Sequence, residues 1–234
     1  MNDFAARLRA IQERITSAAA RAGRRADEVT LLAVSKTFPV EVIREAFDSG
    51  QRRFGENKVQ EAAPKIESFA AEPRPEWHLV GHLQSNKARR AAELFDAVHS
   101  VDNRKLARKL SEAAVELGKT LVVLIQVDLG GEATKSGAAR EEVDELARTI
   151  RALPGLRLDG LMTLPPFFDD PEQSRPFFRE LRGIAERLER AEPGALGARQ
   201  LSMGMSHDFE TAISEGATIV RIGTALFGER RSAG

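Results

Sequence analysis

The chain has no cysteine and no tyrosine, and a single tryptophan among its 234 residues. Without cysteine there is no disulfide framework, no thiol nucleophile and no thiolate metal site. Without tyrosine, one of the common catalytic acid/base groups is missing. Net charge is absent as well, since 35 Lys and Arg balance 35 Asp and Glu. That balance gives no long-range pull toward nucleic acid or an anionic membrane, so any anion must be held by a local site. No apolar run is long enough to span a bilayer, and the charged, amphipathic start Met1-Asn2-Asp3-Phe4-Ala5-Ala6-Arg7 lacks the apolar core of a signal peptide. A cytoplasmic address is expected, with no nucleic-acid and no membrane partner. Repeats and low-complexity tracts are lacking too, and nothing in the composition breaks residues 1–234 into more than one domain.

Phe4, Leu8, Ile11 and Ile15 recur at helical spacing, which predicts an N-terminal helix over 3–22 that ends near Gly23. Beyond it, short apolar stretches alternate with longer helical patterns. The strands are expected at Thr30–Ser35, Arg53–Gly55, His78–Gly81, Ala97–Val101, Leu121–Val127, Leu158–Leu164, Gln200–Met203 and Thr218–Ile222. Eight strand–helix units predict a single (β/α)8 TIM barrel with an extra N-terminal helix. Three of the strand signals are short, and an open doubly wound sheet is the structural alternative. Residues 229–234 read as a flexible tail and 130–137 as a loop.

Lys36 closes the apolar run Thr30–Ser35 and is followed by Thr37-Phe38-Pro39, a stop signal for a strand. A lysine there either snorkels to water or occupies a site built for an amine, where partial burial lowers a reference pKa of about 10.4 and makes it a candidate Schiff-base nucleophile. In a barrel the other strand ends face the same mouth. They bring Glu56 and Asn57, His82, Asp128, Met203 through Ser206, and Arg221 with Gly223 and Thr224. Barrels often bind phosphate at the loops after strands 7 and 8. Ser206 therefore reads either as the cap of a helix over His207–Glu215 or as a hydroxyl for phosphate, and Gly223-Thr224 either as a turn or as the second half of that seat. Arg221 alternates with Val220 and Ile222, and a guanidinium inside a strand needs a partner. A ring nitrogen, or an internal carboxylate such as Asp128 or Glu210, would serve. An amine on the first strand, a phosphate seat at the last two and a buried cation beside it together describe a site for pyridoxal 5′-phosphate.

Leu32-Ala33-Val34-Ser35-Lys36-Thr37, Phe54-Gly55-Glu56-Asn57, Trp77-His78-Leu79-Val80-Gly81-His82-Leu83-Gln84, Leu201-Ser202-Met203-Gly204-Met205-Ser206 and Arg221-Ile222-Gly223-Thr224-Ala225-Leu226-Phe227-Gly228 resemble the pyridoxal phosphate homeostasis protein family. The resemblance spans nearly the whole chain in order. It implies the barrel of the alanine racemase N-terminal domain, the type III fold of pyridoxal phosphate proteins. It also implies that Lys36 carries the cofactor as an internal aldimine, that Ser206, Gly223 and Thr224 hold phosphate, that Arg221 meets the pyridine nitrogen, and that Asn57 and Met203 line the pocket. Two positions depart from the family pattern: Phe38 stands where a second lysine is frequent, and Lys58 where tyrosine is common after Glu-Asn. Lys58 or Lys135 offers a substitute secondary amine, or is a solvated surface lysine.

An arginine cannot take a proton from the ring, so a pyridine nitrogen facing Arg221 stays unprotonated and the cofactor becomes a poorer electron sink. Two-base racemisation also needs a group opposite the lysine. The resemblance implies that alanine racemase supplies a tyrosine there from a second domain and partner subunit, and this chain has no tyrosine. His82 and His207 are the substitutes at hand, and each also reads as a structural histidine. The expected function is cofactor binding on Lys36 in the homeostasis of pyridoxal phosphate and its linked amino and keto acids, without catalysis. The chain is expected to act as a monomer that serves pyridoxal phosphate-dependent apoenzymes. The alternatives are an amino-acid racemase or related enzyme using Lys36 as base, and a barrel enzyme that forms a Schiff base with another phosphorylated substrate.

Overall fold

The computed structural model describes residues 4–69, 73–131 and 136–228. Eight parallel strands close a barrel in chain order: β1 Thr30–Val34, β2 Arg53–Glu56, β3 Glu76–Leu79, β4 Ala97–Val101, β5 Leu121–Val127, β6 Leu156–Thr163, β7 Gln200–Met205 and β8 Ile219–Ile222. The pairing of β1 with β8, through Thr30 to Ile219 and Ala33 to Ile222, makes the closure and excludes the open sheet. Helices α1 Phe4–Arg21, α2 Val40–Asp48, α3 Val59–Glu67, α4 Ala88–Leu94, α5 Arg104–Glu116, α6 Val143–Ala152, α7 Arg175–Ala191, α8 Phe209–Ser214 and α9 Thr224–Phe227 accompany the strands. Among the described residues, no helix is long and apolar enough to cross a membrane.

The main core lies between sheet and helices, where residues such as Ala33, Phe54, Trp77, Val220 and Ile222 meet the apolar faces of the helices. Alternation along each strand sends the remaining side chains into the lumen. Leu32, Val80 and Ile219 form a small separate apolar cluster. Arg221 has the parity of Ile219, and Lys36 continues the parity of Leu32 and Val34 beyond the end of β1. Period two in the sequence thus decides which polar groups enter the barrel.

The predicted N-terminal helix appears as α1, with Phe4, Leu8, Ile11 and Ile15 buried on one face. Burying these four side chains contributes about 1.5–3 kcal/mol each. They bring α1 against the side of the barrel where α9 follows β8, since Phe4 packs on Phe227 of α9 with ring centroids 5.2 Å apart. Strand boundaries shifted by two residues at β3, β6 and β7 and by one at β1, β2 and β8. β3 runs two residues earlier than the apolar pattern indicates, because Gly81 leaves the ladder to pass against the β2–α3 turn; a Cβ there would come within 2.1 Å of the Asn57 carbonyl oxygen. β7 continues to Met205, with Gly204 at φ +88° and a register shift against β8 between Ser202 and Met205.

Candidate functional site

Lys36 lies in a turn directly after β1 and is partly buried. The next residue, Thr37, has φ +68°, a left-handed conformation unusual for a β-branched residue, so the chain turns sharply once the lysine has been presented. Phe38 then stacks on Phe227 at 4.9 Å, tying this turn to α9. Phe38 thus places an aromatic clamp between the turn after β1 and α9 after β8.

Beneath Lys36 sits a buried polar trio. Ser35 Oγ donates to Glu56 Oε1 at 2.7 Å, and Lys65 Nζ donates to the same oxygen at 2.9 Å and to the Ser35 carbonyl at 3.0 Å. Burial pushes the Glu56 carboxyl up, against the opposing pull of Lys65. These bonds lock the backbone at the residue preceding Lys36, and Lys65 reaches them from α3. Asn57 follows Glu56 and is held against Gly81 by the close approach described above.

Ser206 does not cap α8, contrary to one of its two readings. Asp208 precedes that helix and accepts from the Met205 N–H at 2.7 Å, while Ser206 Oγ accepts from the N–H groups of Gly223 at 3.3 Å and Ala225 at 3.4 Å. One hydroxyl and two amides thus converge where β7 and β8 end. Gly223 also lies against β1, since a Cβ on it would be 3.4 Å from the Val34 carbonyl. Thr224 is exposed at the start of α9. Met203 is fully buried in the main apolar core, so its side chain is engaged between sheet and helices.

Arg221 is 4% exposed. Its Nη1 donates to Ser202 Oγ at 2.9 Å and its Nη2 to the Thr163 carbonyl at 2.8 Å. Neither carboxylate proposed from sequence serves it. Glu210 pairs with Arg14 at 2.6 Å on the surface, and Asp128 accepts from the Gly130 and Gly131 amides. Burial pushes Arg221 down to about 10, with Asp208 as the opposing charge, which leaves the guanidinium charged at neutral pH. A buried cation whose described partners are all neutral oxygens is short of an acceptor.

Sequence reasoning missed the groups behind Arg221. His99 Nδ1 is 3.0 Å from Ser202 Oγ, His99 Nε2 is 2.8 Å from His78 Nδ1, and His78 Nε2 is 2.9 Å from Glu76 Oε1. The signal was present as parity, because Glu76 and His78 alternate on β3, but each histidine sits inside an apolar run that reads as core. The histidines singled out instead are at the rim. His82 Nδ1 is 3.6 Å from Asp102, and the His207 ring nitrogen is 2.9 Å from the Asp169 carbonyl with its ring 5.5 Å from that of Phe167. Lys58 is exposed and pairs with Glu61 at 2.8 Å. Lys135 and the tail 229–234 lie outside the described residues.

The donor set is an amine, a hydroxyl with two amides, and a buried guanidinium, and it suits a molecule bearing a carbonyl, an anionic group and a neutral acceptor. The model of the alanine racemase N-terminal domain matches residues 6–231. The pyridoxal phosphate homeostasis protein of Aquifex aeolicus is 46% identical over 225 residues, 96% of this chain and 97% of that one. The protein of the same name from Escherichia coli is 44% identical over 236 residues, 98% of each chain. The structure of PipY from Synechococcus elongatus with pyridoxal phosphate bound superposes with a TM-score of 0.81 at 40% identity, covering 93% of this chain and all of that one. With the family model matched over residues 6–231 and relatives 44–46% identical over nearly the whole of both chains, the chain belongs to the pyridoxal phosphate homeostasis protein family.

Proposed function

We propose that this protein binds pyridoxal 5′-phosphate at the mouth of the barrel and holds it in reserve, serving the homeostasis of the cofactor and of the amino and keto acids linked to it. When bound, the cofactor supplies an aldehyde that an amine can capture and a ring that can withdraw electrons. The chain's own residues have separable tasks in this reading. Lys36 provides the amine, Ser206, Gly223 and Thr224 hold the phosphate, Arg221 donates to the ring nitrogen, and Asn57 shapes the pocket together with the backbone at Met203, whose side chain stays in the core.

One observation carries the reading: Arg221 is a buried cation whose described partners are neutral oxygens, one strand from the lysine strand and one turn before the Ser206 cluster. An unprotonated ring nitrogen completes its hydrogen bonding without adding charge. The same pairing weakens the ring as an electron sink, and the mouth offers no tyrosine as a second base. Storage without turnover is therefore the function, with apoenzymes as recipients. The large apolar side chains exposed among the described residues, Val115, Leu117 and Phe167, do not make one broad patch, which favours a monomer.

Borohydride reduction of the loaded protein followed by peptide mapping tests the site. A pyridoxyl adduct on Lys36, lost in Lys36→Ala, is expected; an adduct elsewhere with Lys36 unmodified would sink the assignment. Incubation of the loaded protein with L-amino acids in deuterated water tests storage against catalysis, and sustained Cα exchange with turnover rejects the storage reading.

A further inference from the structure

Lys36 is the second residue of a four-residue turn, closed by the Phe38 N–H donating to the Ser35 carbonyl at 3.1 Å. Thr37 takes φ +68° at the third position, where a type II turn favours glycine. A left-handed threonine persists only where its surroundings hold it there. One flank of the turn, Ser35, is fixed by Glu56 and Lys65. The other flank is Phe38, and what holds it is the ring of Phe227, 4.9 Å away and inclined by 29°.

Phe227 is buried, and its ring also lies 5.2 Å from that of Phe4, inclined by 40°. One ring is therefore shared by the first turn of α1 and the turn that carries Lys36. Further bonds fix α1 to the segments that follow β7 and β8. Arg7 Nε donates to the Leu226 carbonyl, Arg14 pairs with Glu210, and the Arg14 guanidinium stands 4.6 Å over the Phe209 ring. α1 precedes β1 and belongs to none of the eight strand–helix units. Its two ends have different neighbours. Ile15 is about 16 Å along the helix from Phe4 and lines a cleft with Thr30 and Leu31, the first residues of β1, at the end of the strand remote from Lys36.

We infer that α1 is a positioning element for Lys36, acting through the stacked rings of Phe4, Phe227 and Phe38. With the stack intact, Thr37 is held left-handed and the Lys36 amine stays presented at the mouth. With the stack broken, the turn relaxes and the amine leaves the place where an aldehyde would meet it. The inference rests on the pyridoxal phosphate reading for its ligand. Capture joins Lys36 Nζ to the aldehyde carbon, while two amine hydrogens and the aldehyde oxygen leave as one water. The stack bears on that step, whereas phosphate holding falls to Ser206, Gly223 and Thr224. Docking of α1 and capture of the aldehyde thereby favour each other, because coupling between two equilibria is reciprocal.

A comparison of two ligands tests this. Pyridoxal 5′-phosphate can be captured, whereas pyridoxine 5′-phosphate has an alcohol in place of the aldehyde and cannot. In Phe4→Ala the dissociation constant for pyridoxal 5′-phosphate is expected to rise at least about fivefold, with that for pyridoxine 5′-phosphate within about twofold of wild type. Ile15→Ala trims the same helix at its other end and should leave both constants within about twofold. Hydrogen exchange of wild type reads the reciprocal effect: pyridoxal 5′-phosphate slows exchange in α1 more than pyridoxine 5′-phosphate does. Equal weakening of both ligands in Phe4→Ala, weakening of neither, an equal loss in Ile15→Ala, or α1 exchange that does not distinguish the ligands overturns the inference. Any of these with a visible band in wild type sinks the inference alone. A missing band in wild type with pyridoxal 5′-phosphate sinks the cofactor reading and the inference with it. Should Phe4→Ala fail to fold, Phe38→Ala, at the partly buried end of the stack, carries the same comparison.

Discussion

Two buried cations stand on opposite sides of β1, and their partners differ. Lys65, from α3, is closed off by the Glu56 carboxylate at 2.9 Å and the Ser35 carbonyl at 3.0 Å. Arg221, from β8, has only Ser202 Oγ and the Thr163 carbonyl as described partners. The first arrangement sets cation against carboxylate and braces the turn that presents Lys36. The second leaves a charge in search of an acceptor at the place where a ligand would arrive. Within one barrel, one buried cation is bonded to a carboxylate, whereas the other, the one proposed to meet the ligand, has neutral oxygens as its described hydrogen-bond partners.

Breaking the complete pair should have the largest effect. Lys65→Met leaves Glu56 buried with no cation against its Oε1, and a loss of about 3–5 kcal/mol in chemical denaturation is expected. The double variant Lys65→Met with Glu56→Gln should recover much of it. If Lys65→Met proves nearly neutral, the pair is not the brace described here.

Arg221→Met should show the reverse profile. Removing a desolvated cation without a carboxylate partner costs less stability than Lys65→Met, while the dissociation constant for pyridoxal phosphate, followed by its visible absorption, rises at least about tenfold, or ~1.4 kcal/mol. A stability loss as large as that of Lys65→Met, with affinity unchanged, would erase the contrast between the two cations.

Acid and base titration sharpens it further through Glu56 and Glu76. Burial raises the Glu56 carboxyl above 4.5, so its contribution is fully present below that value and is lost as pH rises through its folded-state pKa. The Glu76 carboxyl is lowered to about 2, so its contribution is present above 4.5 and is lost as pH falls toward 2. Stability profiles of Glu56→Gln and Glu76→Gln should therefore diverge from wild type on opposite limbs. The smallest effect is expected from an exposed pair. Arg14 and Glu210 lie 2.6 Å apart with side chains 47% and 30% exposed, and a double-mutant cycle should give under about 1 kcal/mol of coupling.

The barrel was legible because its signals are periodic. Apolar spacing at 4, 8, 11 and 15 marks α1, and alternating runs mark the strands, including the short β2 and β8. The strand-end residues were legible too, since a lysine after an apolar run and glycine after an arginine-bearing strand stand out in one dimension. His78 and His99 were not. Each lies within a strand of otherwise core-like composition, and what joins them is their meeting with Ser202 across the lumen. The helix-cap reading of Ser206 failed for a related reason, as its hydrogen-bond donors come from a segment seventeen and nineteen residues away.

Composition, periodicity and the order of motifs were enough to determine a (β/α)8 chain with Lys36 just after β1 and Ser206, Gly223 and Thr224 at the ends of β7 and β8. These properties are local, written in spacing along one strand or one turn. Tertiary structure alone decided that the described hydrogen-bond partners of Arg221 are neutral oxygens, that Lys65 and Glu56 close on each other beneath Ser35, and that Glu76, His78, His99 and Ser202 join into one chain. Those outcomes depend on barrel closure and register, which bring strands distant in sequence within about 3 Å at the side-chain tips, where hydrogen bonds and charge are settled.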